Sequence, residues 1–432
     1  MFYDSFTRSL SRRSFLAAGV KSLVAACLGA GFSPVAKALA ASSPDVRFVR
    51  QIVAADNRTA RTIMWQSAHE QRSAAVEWRR VGAKAVQSVA ATSTPFYDDG
   101  HASFQHTACL TGLPAADRLE YRIVERRGSP TDWYPLALDN GQTCQMIIMP
   151  DSQSTDGYVT WRRVAWGAAT RNPKADLWVN LGDLVDNGED FQQWDDWFTA
   201  LDGIVEHLTF VPVLGNHETY DRDWKIRWPQ AFLGYFSGVP GNGRSAFPGT
   251  YFSFDYGPVH FIVLNTQWEE LDLLRPGLFA EQRAWLRRDA AASQKPWNVV
   301  LMHKDIIEAD LPPQNELSDT GRRLMPLFDK LPIDAVLTGH NHTYRRRAPL
   351  KNFRRAPKGI LYVCTGVAGN CRYYDIPRSV YDEVLAPQPE TDNYLTLDAT
   401  EETLIFRCFL ASGILIDEFT LRRAASPPPA GS

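Results

Sequence analysis

Cysteine is scarce: six in 432 residues. That density excludes a small disulfide-stapled scaffold, and no pair has the C-x-x-C spacing of a structural zinc site. An excess of one charge sign is also lacking. Lys and Arg number 46 and Asp and Glu 49, so the net charge is −3 and nucleic acid is not expected as a partner. Low-complexity tracts are absent, and 44% of residues are apolar against 22% charged, which excludes a disordered chain. No good membrane span is present either. The apolar run from Leu16 to Phe32 is interrupted by Lys21 and several glycines, and no transmembrane segment is expected in the mature chain. Aromatics are plentiful, with 13 Trp and 15 Tyr, which points to large packed loops or a ligand-facing rim.

Residues 1–40 read as an address. Ser11-Arg12-Arg13-Ser14-Phe15-Leu16 is a twin-arginine export pattern ahead of the apolar run. Ala36-Lys37-Ala38 and Ala38-Leu39-Ala40 both offer small-residue cleavage sites. The expectation is export by the twin-arginine translocase to the periplasm or the extracellular space, the route of cargo folded before export. An alternative is lipid anchoring at Cys27, since Val24-Ala25-Ala26-Cys27 resembles a lipoprotein cleavage box. Positions 1–40 hold five bases and one acid, so the mature chain would carry a net charge of −7. Five cysteines would remain: Cys109, Cys144, Cys364, Cys371 and Cys408. Cys364 and Cys371 are close enough for a local bridge, which their spacing does not decide.

Residues 43–139 read as short strands alternating in and out, among them Thr62–Gln66, Ala75–Arg79, Ser103–His106 and Tyr121–Val124. Turn formers separate them, and roughly seven strands in ~100 residues is a β-sandwich signature. Leu110-Thr111-Gly112-Leu113-Pro114 followed by Leu119-Glu120-Tyr121-Arg122 is similar to a corner of fibronectin type III domains. His69, His101 and His106 read as surface or packing residues, and His260 as core. The pattern changes after the turn Asp139-Asn140-Gly141. Apolar runs (Gln145–Pro150, Ala175–Leu181, Thr209–Leu214, Val259–Asn265, Asn298–His303, Ala335–Thr338) then alternate with helical segments (Val159–Ala169, Phe191–Leu201, Ala280–Ala292). That alternation predicts βαβ units over residues 143–423, closed by a β meander, with a disordered tail at 424–432.

Five polar motifs stand at or just beyond the C-terminal ends of those runs, where open α/β sheets place ligands. They are Asp151-Ser152-Gln153, Gly182-Asp183-Leu184-Val185-Asp186, Gly215-Asn216-His217-Glu218, His303, and Gly339-His340-Asn341-His342. Each alone is a common turn or loop. All five in one order, each after an apolar strand, point to one shared metal site.

This set resembles the calcineurin-like metallophosphoesterase superfamily. The sandwich in front and the block Gly-His-Asn-His-Thr-Tyr-Arg (339–345) resemble its purple acid phosphatase branch. The resemblance implies a four-layer α/β (α+β) metallophosphoesterase β-sandwich flanked by helices, behind an all-β immunoglobulin/fibronectin III-like domain. It also implies two divalent or mixed-valence ions, and the donor types suit Mn, Fe, Zn or Co. By position, Asp183 would bridge both ions. Asp151 and His342 would hold the first, with Gln153 as an extra oxygen, and Asn216, His303 and His340 the second. A metal-bridging hydroxide would attack phosphorus, with His217 protonating the leaving group or stabilising the equatorial oxygens. Glu218 would either orient His217 or serve as a first-turn helix acid. Tyr344 and Arg345 follow the last histidine; Arg345 would either reach a phosphate or form a structural ion pair. Two positions depart from the branch. Asp186 stands where it has a tyrosine ligand, so no purple colour is expected, and reads as a turn or supporting residue. Gln153 stands where Gly or His is usual. The stretches Tyr220–Thr250 and Arg372–Asp392 read as a specificity rim.

The expected activity is hydrolysis of small phosphomonoesters. A phosphodiesterase or nucleotidase is the rival enzyme, and a surface binding protein with a vestigial site the rival of another class.

Overall fold

The computed structural model describes residues 45–115, 118–125, 129–243, 246–307, 317–373, 377–386 and 392–423. The predicted signal peptide with Cys27, and the tail at 424–432, lie outside them.

Two mixed sheets form the catalytic half, as the fold class predicted. In the first, Cys144–Met149, Leu177–Asn180 and Thr209–Pro212 run parallel. The antiparallel meander Asn393–Ala399, Thr403–Leu410 and Leu415–Arg422 extends one side of it. In the second, Val259–Val263, Trp297–Leu301, Ala335–Thr338 and Leu361–Thr365 run parallel. The parallel strands read as continuous apolar runs because both their faces are buried. One apolar core holds residues of both sheets (Val179 and Val211; Val299 and Val336) and of the helices.

The helices Val159–Arg171, Phe191–Ala200 and Leu278–Ala292 fall where the periodicity put them. Asp190 caps the second by accepting from the backbone N–H of Gln192 and Gln193 at 3.0 and 3.2 Å. The abundance of tryptophan is mostly core: Trp161, Trp178, Trp194 and Trp197 are all buried against one another.

The N-terminal β region has a second core around Trp65, Val76, Trp78 and Tyr121, between a four-stranded sheet and part of the first large sheet. That sheet is ten strands wide and crosses the predicted seam. Arg47–Ile52 pairs in parallel with Thr209–Pro212, with Gln51 opposite Thr209 and Ile52 opposite Phe210. The in-and-out alternation expected for Thr62–Gln66 is therefore overturned, since Arg61–Ser67 is buried throughout. Ile63 and Trp65 enter the N-terminal core while Met64, between them, enters the catalytic core. His106 is buried too, stacked on Trp65 and hydrogen-bonded to Ser67, and burial pulls its pKa down to about 4. His260 is a charged bridge, not an apolar core residue. Burial opposes its charge, but hydrogen bonds to Asp255 and Asp289 at 2.7 and 3.0 Å raise its pKa to about 9. The five described cysteines are all unbridged, so Cys364 and Cys371 form no disulfide. Among the described residues, no helix is long and apolar enough to cross a membrane.

Candidate metal centre

The parallel strands deliver the predicted ligands to one place. Asp151, Asp183 and Asn216 follow the strands ending at Met149, Asn180 and Pro212, and His303 and His340 follow those ending at Leu301 and Thr338. Asp183 joins two clusters, Asp183-His303-His340 and Asp151-Asp183-His342, in each of which the candidate ligand atoms lie within 4.8 Å of one another. His303 Nε2 is 3.1 Å from Asp183 Oδ2 and 3.0 Å from Asn216 Oδ1. His342 Nε2 is 3.7 Å from Asp151 Oδ1.

The backbone is bent to do this. Asp183, His340 and His342 have φ of 47°, 74° and 46°, the left-handed region that side chains other than glycine disfavour. Such outliers concentrate at functional sites, where surrounding structure over-determines them. Gly215 is required by close approach: a Cβ there would collide with the amide nitrogen and a carboxylate oxygen of Asp183. The Asp183 carbonyl in turn accepts from the N–H groups of Ser152 and Gln153 at 3.1 and 3.0 Å, which ties two ligand loops together.

Carbonyl oxygens set the imidazole tautomers. His303 Nδ1 donates to Leu181 O at 2.8 Å and His342 Nδ1 to Cys371 O at 2.5 Å. Each Nε2 lone pair is thereby left for a metal. Gln153 Oε1 is buried without a hydrogen-bond partner, an oxygen suited to the same use. This set of imidazole nitrogens with carboxylate and amide oxygens fits transition-metal ions better than Ca²⁺.

Burial and crowding shift the protonation states. Burial and the neighbouring Asp183 charge push Asp151 up to about 7. Burial opposes ionisation of Asp183 as well, but His303 and His217 outweigh it and hold that carboxyl well below its usual range. His303 is raised to about 9 against the pull of burial, chiefly by Asp183. Burial takes His342 down to about 4 and His340 also well down, so both are neutral and ready to ligate near pH 7. A metal would displace protons from Asp151 and His303.

His217 lies at the same site, with Nε2 3.9 Å from Asp183 Oδ2. Its Nδ1 donates to the Asp186 carbonyl at 2.6 Å. When His217 is neutral, Gln153 Nε2 donates to its Nε2 at 3.1 Å. Asp186, not Glu218, therefore orients the ring. Glu218 instead accepts from the backbone N–H of Asp183, Leu184, Val185 and Gly215, and so pins two ligand loops. Arg345 does not reach for phosphate. It is 1% exposed, donates to Pro377 O at 2.7 Å and faces Asp382 at 3.7 Å. Tyr344 is buried with its hydroxyl donating to Asp417 at 2.7 Å. Both lie on the strand Tyr344–Arg347, whose sheet hydrogen bonds and ion pairs use them structurally.

Only parts of the expected rim border the site. Phe232, Tyr235, Phe236 and Phe247 of the first stretch are buried in the core, whereas Tyr220 and Trp224 flank His217 and Tyr373 stacks on His342. Asp305 carries no motif in the sequence. It accepts from Asn341 Nδ2 at 2.9 Å, between His340 and His342, and pairs with buried Arg347. Its place two residues after His303 is the one sequence signal it has.

Parts of the chain match known families and proteins. Residues 153–344 match the family described as Calcineurin-like phosphoesterase, and residues 47–137 match the purple acid phosphatase N-terminal domain. A purple acid phosphatase from yellow lupin seeds has the same fold: TM-score 0.73 at 18% identity, covering 89% of this chain and 75% of that one. Purple acid phosphatase 23 of Arabidopsis thaliana is 27% identical over 187 residues, 43% of this chain and 39% of that protein. An uncharacterized protein of Mycobacterium tuberculosis is 33% identical over 171 residues, 37% of this chain and 31% of its own. The matched stretches thus span less than half the length of these curated relatives. The chain thus carries a calcineurin-like phosphoesterase domain behind a purple acid phosphatase N-terminal domain.

Proposed function

We propose that the protein is an exported phosphoesterase that hydrolyses small phosphomonoesters at a centre of two metal ions. One observation carries the reading: Asp183, on strained backbone, is shared by two clusters of ligand-type side chains. In this reading Asp183 would serve both ions, Asp151, His342 and Gln153 would hold one, and Asn216, His303 and His340 the other. When bound, the ions would supply positive charge to the phosphate and lower the pKa of an attacking water. The chain's acidic balance supplies no such attraction.

His217 is assigned the proton. Burial disfavours its charged form, but Asp183 and the Asp186 carbonyl outweigh burial and raise its pKa. Its imidazolium Nε2–H would then face the leaving oxygen in place of Gln153, give up the proton as the P–O bond breaks, and regain one from water. The Asp186 carbonyl keeps Nδ1 as the other donor and so holds the ring in register.

Metal-loaded protein should turn over p-nitrophenyl phosphate in preference to bis(p-nitrophenyl) phosphate. A protein active on the diester alone would sink the monoesterase assignment and leave a phosphodiesterase. Export through the twin-arginine translocase is part of the proposal, to the periplasm or beyond, free or tethered at Cys27. Replacing Arg12 and Arg13 with lysine should hold the precursor inside the cell, and undiminished export of that variant would remove the translocase from the reading.

A further inference from the structure

The segment from Tyr220 to Ile226 closes on itself beside the metal centre. Tyr220 and Ile226 form an isolated antiparallel bridge. Asp221 Oδ1 accepts from the N–H of Asp223 and Lys225 at 2.9 and 2.8 Å, and Asn187 donates to the Asp221 carbonyl at 2.6 Å. This closure puts Trp224 at φ 61°, a left-handed conformation rare for a bulky residue. Trp224 is 53% exposed, and its indole stands edge-on to His217, with ring centroids 5.7 Å apart at 90°. Tyr220 completes that wall, 6.0 Å from Trp224. A second loop brings Tyr373, 43% exposed, to stack on His342 at 4.4 Å and 8°. Core packing explains neither exposed ring.

The loop is held from the N-terminal β region. The end of the strand Thr92–Asp98 and the hairpin turn after it each supply a carboxylate to it. Asp98 accepts from Arg227 Nη2 at 2.8 Å and from Gln230 Nε2 at 2.6 Å. Asp99 accepts from Arg222 Nη1 at 3.1 Å and from the backbone N–H of Phe191 at 3.0 Å. His101 stacks on Phe191 at 3.9 Å. Arg222 and Arg227 bracket Trp224 in sequence, so both sides of the loop are anchored to one turn.

We propose that Trp224 is a specificity-determining residue, a stacking platform for the flat aromatic leaving group of a phosphate ester. The Asp98–Asp99 turn of the N-terminal domain positions it. The inference rests on the phosphomonoesterase reading, because His217 would mark the leaving-group side of the site. A substituent on the oxygen that His217 protonates meets the ring standing against His217. An aryl group gains stacking there that a flexible alkyl chain does not.

The test compares phenyl phosphate with butyl phosphate as substrates, and phenylphosphonate with butylphosphonate as non-hydrolysable inhibitors, on metal-loaded protein. In Trp224→Ala, the aryl-to-alkyl ratio of kcat/KM should fall about tenfold, the size of one lost base-type stack, and the inhibitor selectivity should fall with it. Trp224→Phe should restore most of both. Asp98→Ala, remote from substrate, should lower both ratios by loosening the loop. Unchanged ratios in Trp224→Ala, with both esters still hydrolysed, would overturn the platform and leave the phosphoesterase reading intact. Wild-type ratios in Asp98→Ala would overturn the positioning role. A wild-type protein that hydrolyses neither ester would sink both readings together.

Discussion

Asp183→Asn should empty both metal positions and abolish turnover. The side chain is the one member common to the two clusters, and the substitution removes its charge and one of its two ligand oxygens. The backbone should tolerate the change, because φ at this position is 47° and Asn enters the left-handed region more readily than most residues. The hydrogen bond that Asp183 Oδ1 accepts from the His217 N–H at 3.0 Å survives through the amide oxygen. The loss is therefore electrostatic, not a failure to fold. His303 would also lose the carboxylate that chiefly holds its pKa at about 9. Lewis-acid stabilisation is worth several kcal/mol, so kcat should drop by ~10³-fold or more. Elemental analysis and turnover of the exported variant check both halves. A variant that keeps its metal and its rate would refute the shared-ligand assignment.

What could be read in advance, and what could not, follows from the range of the interactions. The catalytic strands were legible because burial on both faces makes each a continuous apolar run. The candidate ligands were legible because each stands two to four residues past such a strand. The crossing of the seam was not, since the pairing of Ile52 with Phe210 depends on a partner 158 residues away. Met64 was the local hint, an apolar side chain on the face assigned to solvent. For Arg345 two readings stood open, a phosphate contact and a structural ion pair, and the second holds. It is close in sequence to His342, but strand geometry and the buried carboxylate of Asp382 claim it. Trp224 and Tyr373 fell inside stretches marked as rim, yet composition could not separate them from Phe232 or Tyr235, which fill the core. Glu218 was visible as an acid beside His217, and its true partners were not. They are backbone groups from two loops that only the fold brings together.

Glu218→Gln should therefore cost both stability and metal affinity while leaving the orientation of His217 alone. Glu218 is 1% exposed, and its two oxygens serve four N–H groups: Leu184 and Val185 on Oε1 at 2.7 and 3.2 Å, Gly215 and Asp183 on Oε2 at 2.8 and 3.1 Å. Glutamine keeps one acceptor and turns an NH₂ toward the other pair. A buried donor without an acceptor costs about 1–3 kcal/mol, so a loss of ~3 kcal/mol in unfolding free energy is expected. Loosening two ligand loops should lower metal affinity by about 10–100-fold, as for other groups that support ligands from behind. Burial raises the Glu218 pKa from 4.5 to about 7. In metal-free protein this group's contribution is complete below about 4.5 and lost as pH rises through about 7, so the gap between wild type and variant should narrow over that window. Denaturant titrations across the window read the gap directly. A gap that widens would show that the four N–H groups, not burial, control the carboxyl. Wild-type stability and metal content in the variant would return Glu218 to the role of a first-turn helix acid.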